Sequence, residues 1–163
     1  MAKTSTTDHK SVTHRPSMTN RLIIAKSLGF VVGLGALFLL PVIAPESSWM
    51  QRIGFALWYP MIGAVVALMG VYSYHPWVRI DLPWWLRGAL IGGWMNALLL
   101  MIGYDSIQRL LDMVIFNYPS LSLLYNPWMF VLEGILVGMI LDFVATWFAG
   151  EGPACVEEIR PGT

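Results

Sequence analysis

Apolar residues run along this chain in four long stretches, separated by prolines, charges and clusters of aromatic side chains. The first runs from Leu22 to Ala44, opened by Thr19 or Asn20 as N-cap and closed by Pro41 and Pro45. The second runs from about Trp49 to Tyr74, and Ser48-Trp49-Met50-Gln51 has the S-x-x-Q form of a capping box. The third runs from about Pro83 to Tyr104, with Pro83 in the first turn, where its missing N–H costs nothing. The fourth runs from Pro127 to about Phe148, with Asn126 as N-cap. Runs of about 18 to 23 apolar residues at 1.5 Å per helical residue match a hydrocarbon layer of about 30 Å, so each stretch predicts a transmembrane helix.

The segments between them read differently. Residues 1–20 are rich in Ser and Thr, lack apolar periodicity and predict a disordered tail. Val42-Ile43-Ala44 loosely resembles a signal-peptide cleavage site, but Pro45 hinders cleavage there, so helix 1 is read as an uncleaved anchor. Tyr74 to Trp85 mixes Pro, Trp and charges, as expected of a loop at headgroup level. In Asp105 to Phe116, Asp105, Gln108, Arg109 and Asp112 share one stripe while Ile107, Leu110, Leu111 and Val114 face away. That pattern predicts a short amphipathic helix on the membrane surface between helices 3 and 4. A fifth span over Ile107 to Tyr125 is disfavoured by Arg109, Asp112, Asn117 and Pro119 within it. The expected fold is an all-α four-helix transmembrane bundle with polar tails at 1–20 and 150–163.

Composition agrees: 56% hydrophobic and 12% charged is too apolar for an ordinary soluble domain. A net charge of zero gives no basic field for nucleic acid, and none is expected as a partner. Lys3, Lys10, Arg15, Arg21 and Lys26 precede or open helix 1, Arg79 and Arg87 flank helix 3, and Arg160 is in the last tail. The two other loops hold only Arg52 and Arg109, so both termini are expected in the cytoplasm, with a bacterial inner membrane as the expected location. The single cysteine, Cys155, excludes a disulfide framework. With His9 and His14 in the tail and His75 in a loop, no pair of intramembrane histidines is available to a haem, and no metal or cofactor site is expected.

Three polar residues inside the spans stand out: Asn96, Glu133 and Asp142. Ionisable groups at such depth are costly and normally face the bundle interior or water. Asn96 continues a four-residue spacing with Gly88 and Gly92, and Asp142 continues one with Gly134 and Gly138. Helix 1 has Gly29 and Gly33 at that spacing, and helix 2 has Gly63 and Ala67. Small-xxx-small pairs let helix backbones approach closely, which places these faces at helix–helix contacts. Lys26 and Arg87 are the expected ion-pair partners of Asp142. Glu133 has no basic residue at its own depth and lies nine residues from Asp142, on the opposite face of a straight helix, so the two are no catalytic dyad. Pro60 frees the carbonyl of Ala56, which Glu133 or Tyr59 is placed to satisfy. Basic residues followed by glycines open both helix 1 and helix 3, hinting at two related helix hairpins.

Three functional classes follow. Small-residue stripes and little extramembrane mass favour a non-enzymatic subunit that packs into or assembles a larger membrane complex. A small oligomeric transporter or channel lined by Asn96, Glu133 and Asp142 is the alternative. A lipid-modifying enzyme using His75, Arg79 and Asp81 is a minor third. The expected partners are the lipid bilayer and either other membrane subunits or further copies of the chain.

Overall fold

In a computed structural model the described residues are 16–72, 74–75, 80–153 and 155. Four of its helices are long and apolar enough to cross a membrane, which makes the chain an integral membrane protein in contact with lipid. They are α1 (Met18–Ile43), α2 (Trp49–Met69), α3 (Trp84–Asn117) and α4 (Met129–Ala149). A two-residue antiparallel ladder, β1 (Tyr74–His75) with β2 (Ile80–Asp81), joins α2 to α3, and a 3-10 segment, Pro119–Leu124, precedes α4.

The helix ends follow local chemistry. Ser17 caps α1 by accepting from the backbone N–H of Asn20, so Met18 to Asn20, expected in the tail, form its first turn. The capping box of α2 is complete: Ser48 Oγ accepts from Gln51 N at 3.2 Å, and Gln51 Oε1 accepts from Ser48 N at 2.9 Å. α2 ends at Gly70, earlier than the expected Tyr74. α4 begins two residues later than expected, with Trp128 at its N-cap, and the Asn126 side chain accepts from Trp128 N ahead of Met129.

The helix expected over 105–116 is present as the distal part of α3, set off from the part begun at Trp84 by a kink at Gly103, which leaves helical geometry at φ −110°, ψ 24°. The amphipathic pattern at 105–116 is real, since Ile107 and Leu110 are buried while Asp105, Arg109 and Asp112 are exposed. Its apolar face, together with Phe55 of α2, lines a hollow between the two helices.

α1 packs along α2, and α3 along α4, as two hairpins. In each, glycine places a Cα under a carbonyl of the partner helix. A Cβ on Gly29 would lie 2.5 Å from Tyr59 O, and one on Gly63 would strike Ala25 O. In the second hairpin, Gly92 sits under Gly134 O, and Gly88 and Gly138 meet each other's carbonyls. Positions 25, 29, 59 and 63 thus recur as 88, 92, 134 and 138. Under the same correspondence Phe55 matches Phe130, and those rings meet edge-on at 6.0 Å where α2 touches α4. Ile62, Val66, Val137 and Leu141 continue that seam as the bundle's main apolar cluster. The hint of two related hairpins is therefore met in the packing, although few side chains repeat.

Candidate functional site

The intramembrane polar residues gather into two groups at different depths. The first lies at the end of the bundle where α1 and α3 begin. Asp142, fully buried, is bonded through Oδ2 to Arg87 Nε at 2.8 Å and through Oδ1 to Arg87 Nη2 at 3.1 Å. Arg21 Nη2 pairs with the same Oδ1, and Thr146 Oγ1 lies 3.4 Å from it. The paired contacts of one guanidinium with one carboxylate are the strong, direction-fixing form of this interaction.

Arg21 does more than neutralise. Its Nε donates to Ala67 O at 3.2 Å, and its Nη1 donates to Gly150 O at 2.6 Å and Thr146 Oγ1 at 3.0 Å. Ala67 and Gly150 lie at the C-terminal ends of α2 and α4, where partial negative charge collects, and Ala67 O accepts from Gly70 N as well as from Arg21. One guanidinium thus closes two helix ends and one carboxylate. Gly70 makes room for it, since a Cβ there would overlap the Arg21 side chain. Beyond α4, Gly150 at φ 74° and Gly152 at φ 89° turn the chain back so that Glu151 Oε2 meets Arg87 Nη2 at 2.9 Å. Two arginines and two carboxylates leave this knot without net charge.

The second group lies nearer the opposite end. Glu133 Oε1 accepts from Tyr59 Oη at 3.0 Å, and its Oε2 accepts from Asn96 Nδ2 at 2.8 Å. The same Nδ2 donates to Phe130 O at 2.9 Å, while Asn96 Oδ1 accepts from Trp58 Nε1 at 3.0 Å. The Asn96 amide therefore ties α2, α3 and α4 together. The carbonyl of Ala56 is not taken up by Glu133 or Tyr59; it lies over Gly33, whose missing Cβ leaves room for it. A Cα–H contact of that kind is weak but recurs at close helix crossings.

Of the residues singled out in the sequence, Arg87 and Asp142 meet, and Asn96 and Glu133 meet. Lys26 does not join them: it is exposed, and Arg21 occupies the place expected for it. The spacing held the signal, because Arg21 and Ala25 extend the Gly29 and Gly33 stripe by two further steps of four, and all four residues are buried. Lys26 sits one residue, about 100°, off that stripe. Trp58, Thr146 and Glu151 were not singled out. Of the loop residues offered for lipid chemistry, Arg79 lies outside the described residues, and so do the side chains of His75 and Asp81.

Glu133 and Tyr59 also border an open cleft of about 420 Å³ between the two hairpins. The C-terminal part of α1, the N-terminal parts of α2 and α4, and α3 beyond Gly103 enclose it, and among the described residues Glu133 is the only charged one lining it. Among the described residues, no three His, Cys, Asp or Glu side chains are grouped to hold a metal ion.

No known protein family, curated protein or solved structure matches the chain. Function must therefore be argued from these two groups and the cleft.

Proposed function

We propose that this chain is a non-enzymatic subunit that packs into, assembles or stabilises a larger membrane complex in a bacterial inner membrane, with both termini in the cytoplasm. The observation that carries this reading is that the interior polar groups are spent on each other. Asp142 is enclosed by Arg21, Arg87 and Thr146, Asn96 makes three hydrogen bonds across three helices, and no buried side-chain polar atom among the described residues lacks a partner. Asp142 and Asn96, locked in this way, fix a packing arrangement. The orientation is supported by Arg21 and Arg87 lying at the end of the bundle that both tails share, the side on which basic residues are retained.

Mild-detergent purification from a host that naturally makes the chain tests the role. A fixed, stoichiometric set of companion subunits whose levels fall when this chain is deleted is the expected result. A pure homo-oligomer that dissipates an ion gradient in liposomes overturns it. Reporter fusions after Thr163 test the orientation and must report cytoplasm.

One observation favours the second reading, a small oligomeric transporter. Glu133 is bonded on its protein side but borders an open cleft, which Asp142 and Asn96 do not.

A further inference from the structure

Outside the knot and the glycine seams, the cleft between the hairpins is a feature that the accessory reading does not use. Its wall is almost entirely apolar, and its one charged side chain among the described residues is Glu133. Phe55 and Phe130, the edge-on pair where α2 meets α4, line the same space, and so does Leu110 from α3 beyond Gly103. Each Glu133 oxygen accepts one hydrogen bond from the protein, from Tyr59 and from Asn96. A carboxylate oxygen has two acceptor positions, so each retains one.

We propose that this cleft binds a lipophilic monocation, an organic amine or onium ion, with its charge at Glu133 and its apolar body against Phe55, Phe130 and Leu110. Three chemical terms select that ligand. A single carboxylate in a low-dielectric wall attracts one positive charge and repels an anion. Aromatic rings offer a negative face to a cation, and the attraction grows when the cation is stripped of water. An apolar wall accepts a body that has already given up water to enter the bilayer, whereas a small hydrated ion must shed its shell to reach Glu133. A neutral acyl chain fills the same wall but gains nothing from the carboxylate. The site is independent of whether the chain works alone or inside a complex.

The test uses the full chain in phosphatidylcholine nanodiscs, with tetraphenylphosphonium as probe and empty nanodiscs as the partition reference. Tetraphenylborate has the same shape and the opposite charge. The expected result is saturable binding of one tetraphenylphosphonium per chain, weakened about tenfold or more in Glu133→Gln and not displaced by tetraphenylborate. Glu133→Gln keeps the side chain's size and an acceptor for Tyr59, and its melting temperature shows whether the fold is kept. Should that variant fail to fold, Phe55→Leu, which keeps apolar bulk and removes the ring, weakens phosphonium binding several-fold. Equal binding by the wild type and a folded Glu133→Gln overturns the proposal. So does displacement by tetraphenylborate as effective as by the cation itself, or binding that never rises above the empty nanodiscs.

Discussion

Replacing Asp142 with Asn keeps the side chain's size and removes the negative charge that Arg21 and Arg87 share. Arg87 retains Glu151, whose side chain is 37% exposed, but Arg21 is fully buried and loses its only carboxylate partner among the described residues. Breaking a buried pair by removing one member costs about 3–5 kcal/mol, because a charge is left without compensation. Removing Arg21 as well reverses part of that loss. In Asp142→Asn combined with Arg21→Met the stranded charge is gone, and what remains is the carbonyl of Gly150 without its arginine donor, about 1–3 kcal/mol, while Ala67 O still accepts from Gly70 N. The double variant is therefore expected to be more stable than Asp142→Asn alone, at a loss of about 2 kcal/mol from wild type. Unfolding by rising dodecyl sulfate in mixed micelles, followed through tryptophan fluorescence, measures all three proteins. If Asp142→Asn costs less than about 1 kcal/mol, as an exposed pair would, or if the two losses add, the knot is not a buried charge balance and the reasoning fails.

The glycine contacts give a comparison of opposite sign. Gly92→Ala and Gly138→Ala drive a methyl into a facing backbone and lose about 1–3 kcal/mol, whereas Gly35→Ala and Gly54→Ala meet open space and are neutral or gain up to about 1 kcal/mol, as the same unfolding assay reads. Asn96→Leu deletes three bonds across helices, at about 0.6 kcal/mol each in a membrane, for a loss of roughly 2 kcal/mol; a loss equal to that of an exposed residue on α3 contradicts the role given to the amide. Burial pushes the Cys155 thiol above its ordinary value near 9.0. Its rate of alkylation therefore rises with pH through a midpoint above that value, and unfolding in dodecyl sulfate lowers the midpoint; identical midpoints in both states contradict burial of the thiol.

The spans and their contact faces were legible because lipid makes them so: long apolar runs and glycines four apart depend on one helix at a time. Gly88, Gly92, Gly134 and Gly138 are read correctly from spacing alone. The meeting of Asn96 with Glu133 is not, since it depends on how far α3 slides along α4, which the Gly92 and Gly134 contact sets. Assigning Lys26 rather than Arg21 to Asp142 came from starting the first helix at Leu22 and so leaving Arg21 outside the bundle. The second helix of α3 was legible because the polar stripe at 105–112 reads as a new element, and it follows directly on Gly103, where the backbone leaves helical geometry.

The distances in sequence between the members of the knot have a consequence for how the protein is made. Arg21 is 121 residues from Asp142, and Arg87 is 55. Three helices leave the ribosome before the carboxylate that both arginines need has been synthesised. Until then Arg21 has within its own hairpin the Ala67 carbonyl but no carboxylate at Asp142. The fourth helix therefore acts as the latch that joins the two hairpins at this end.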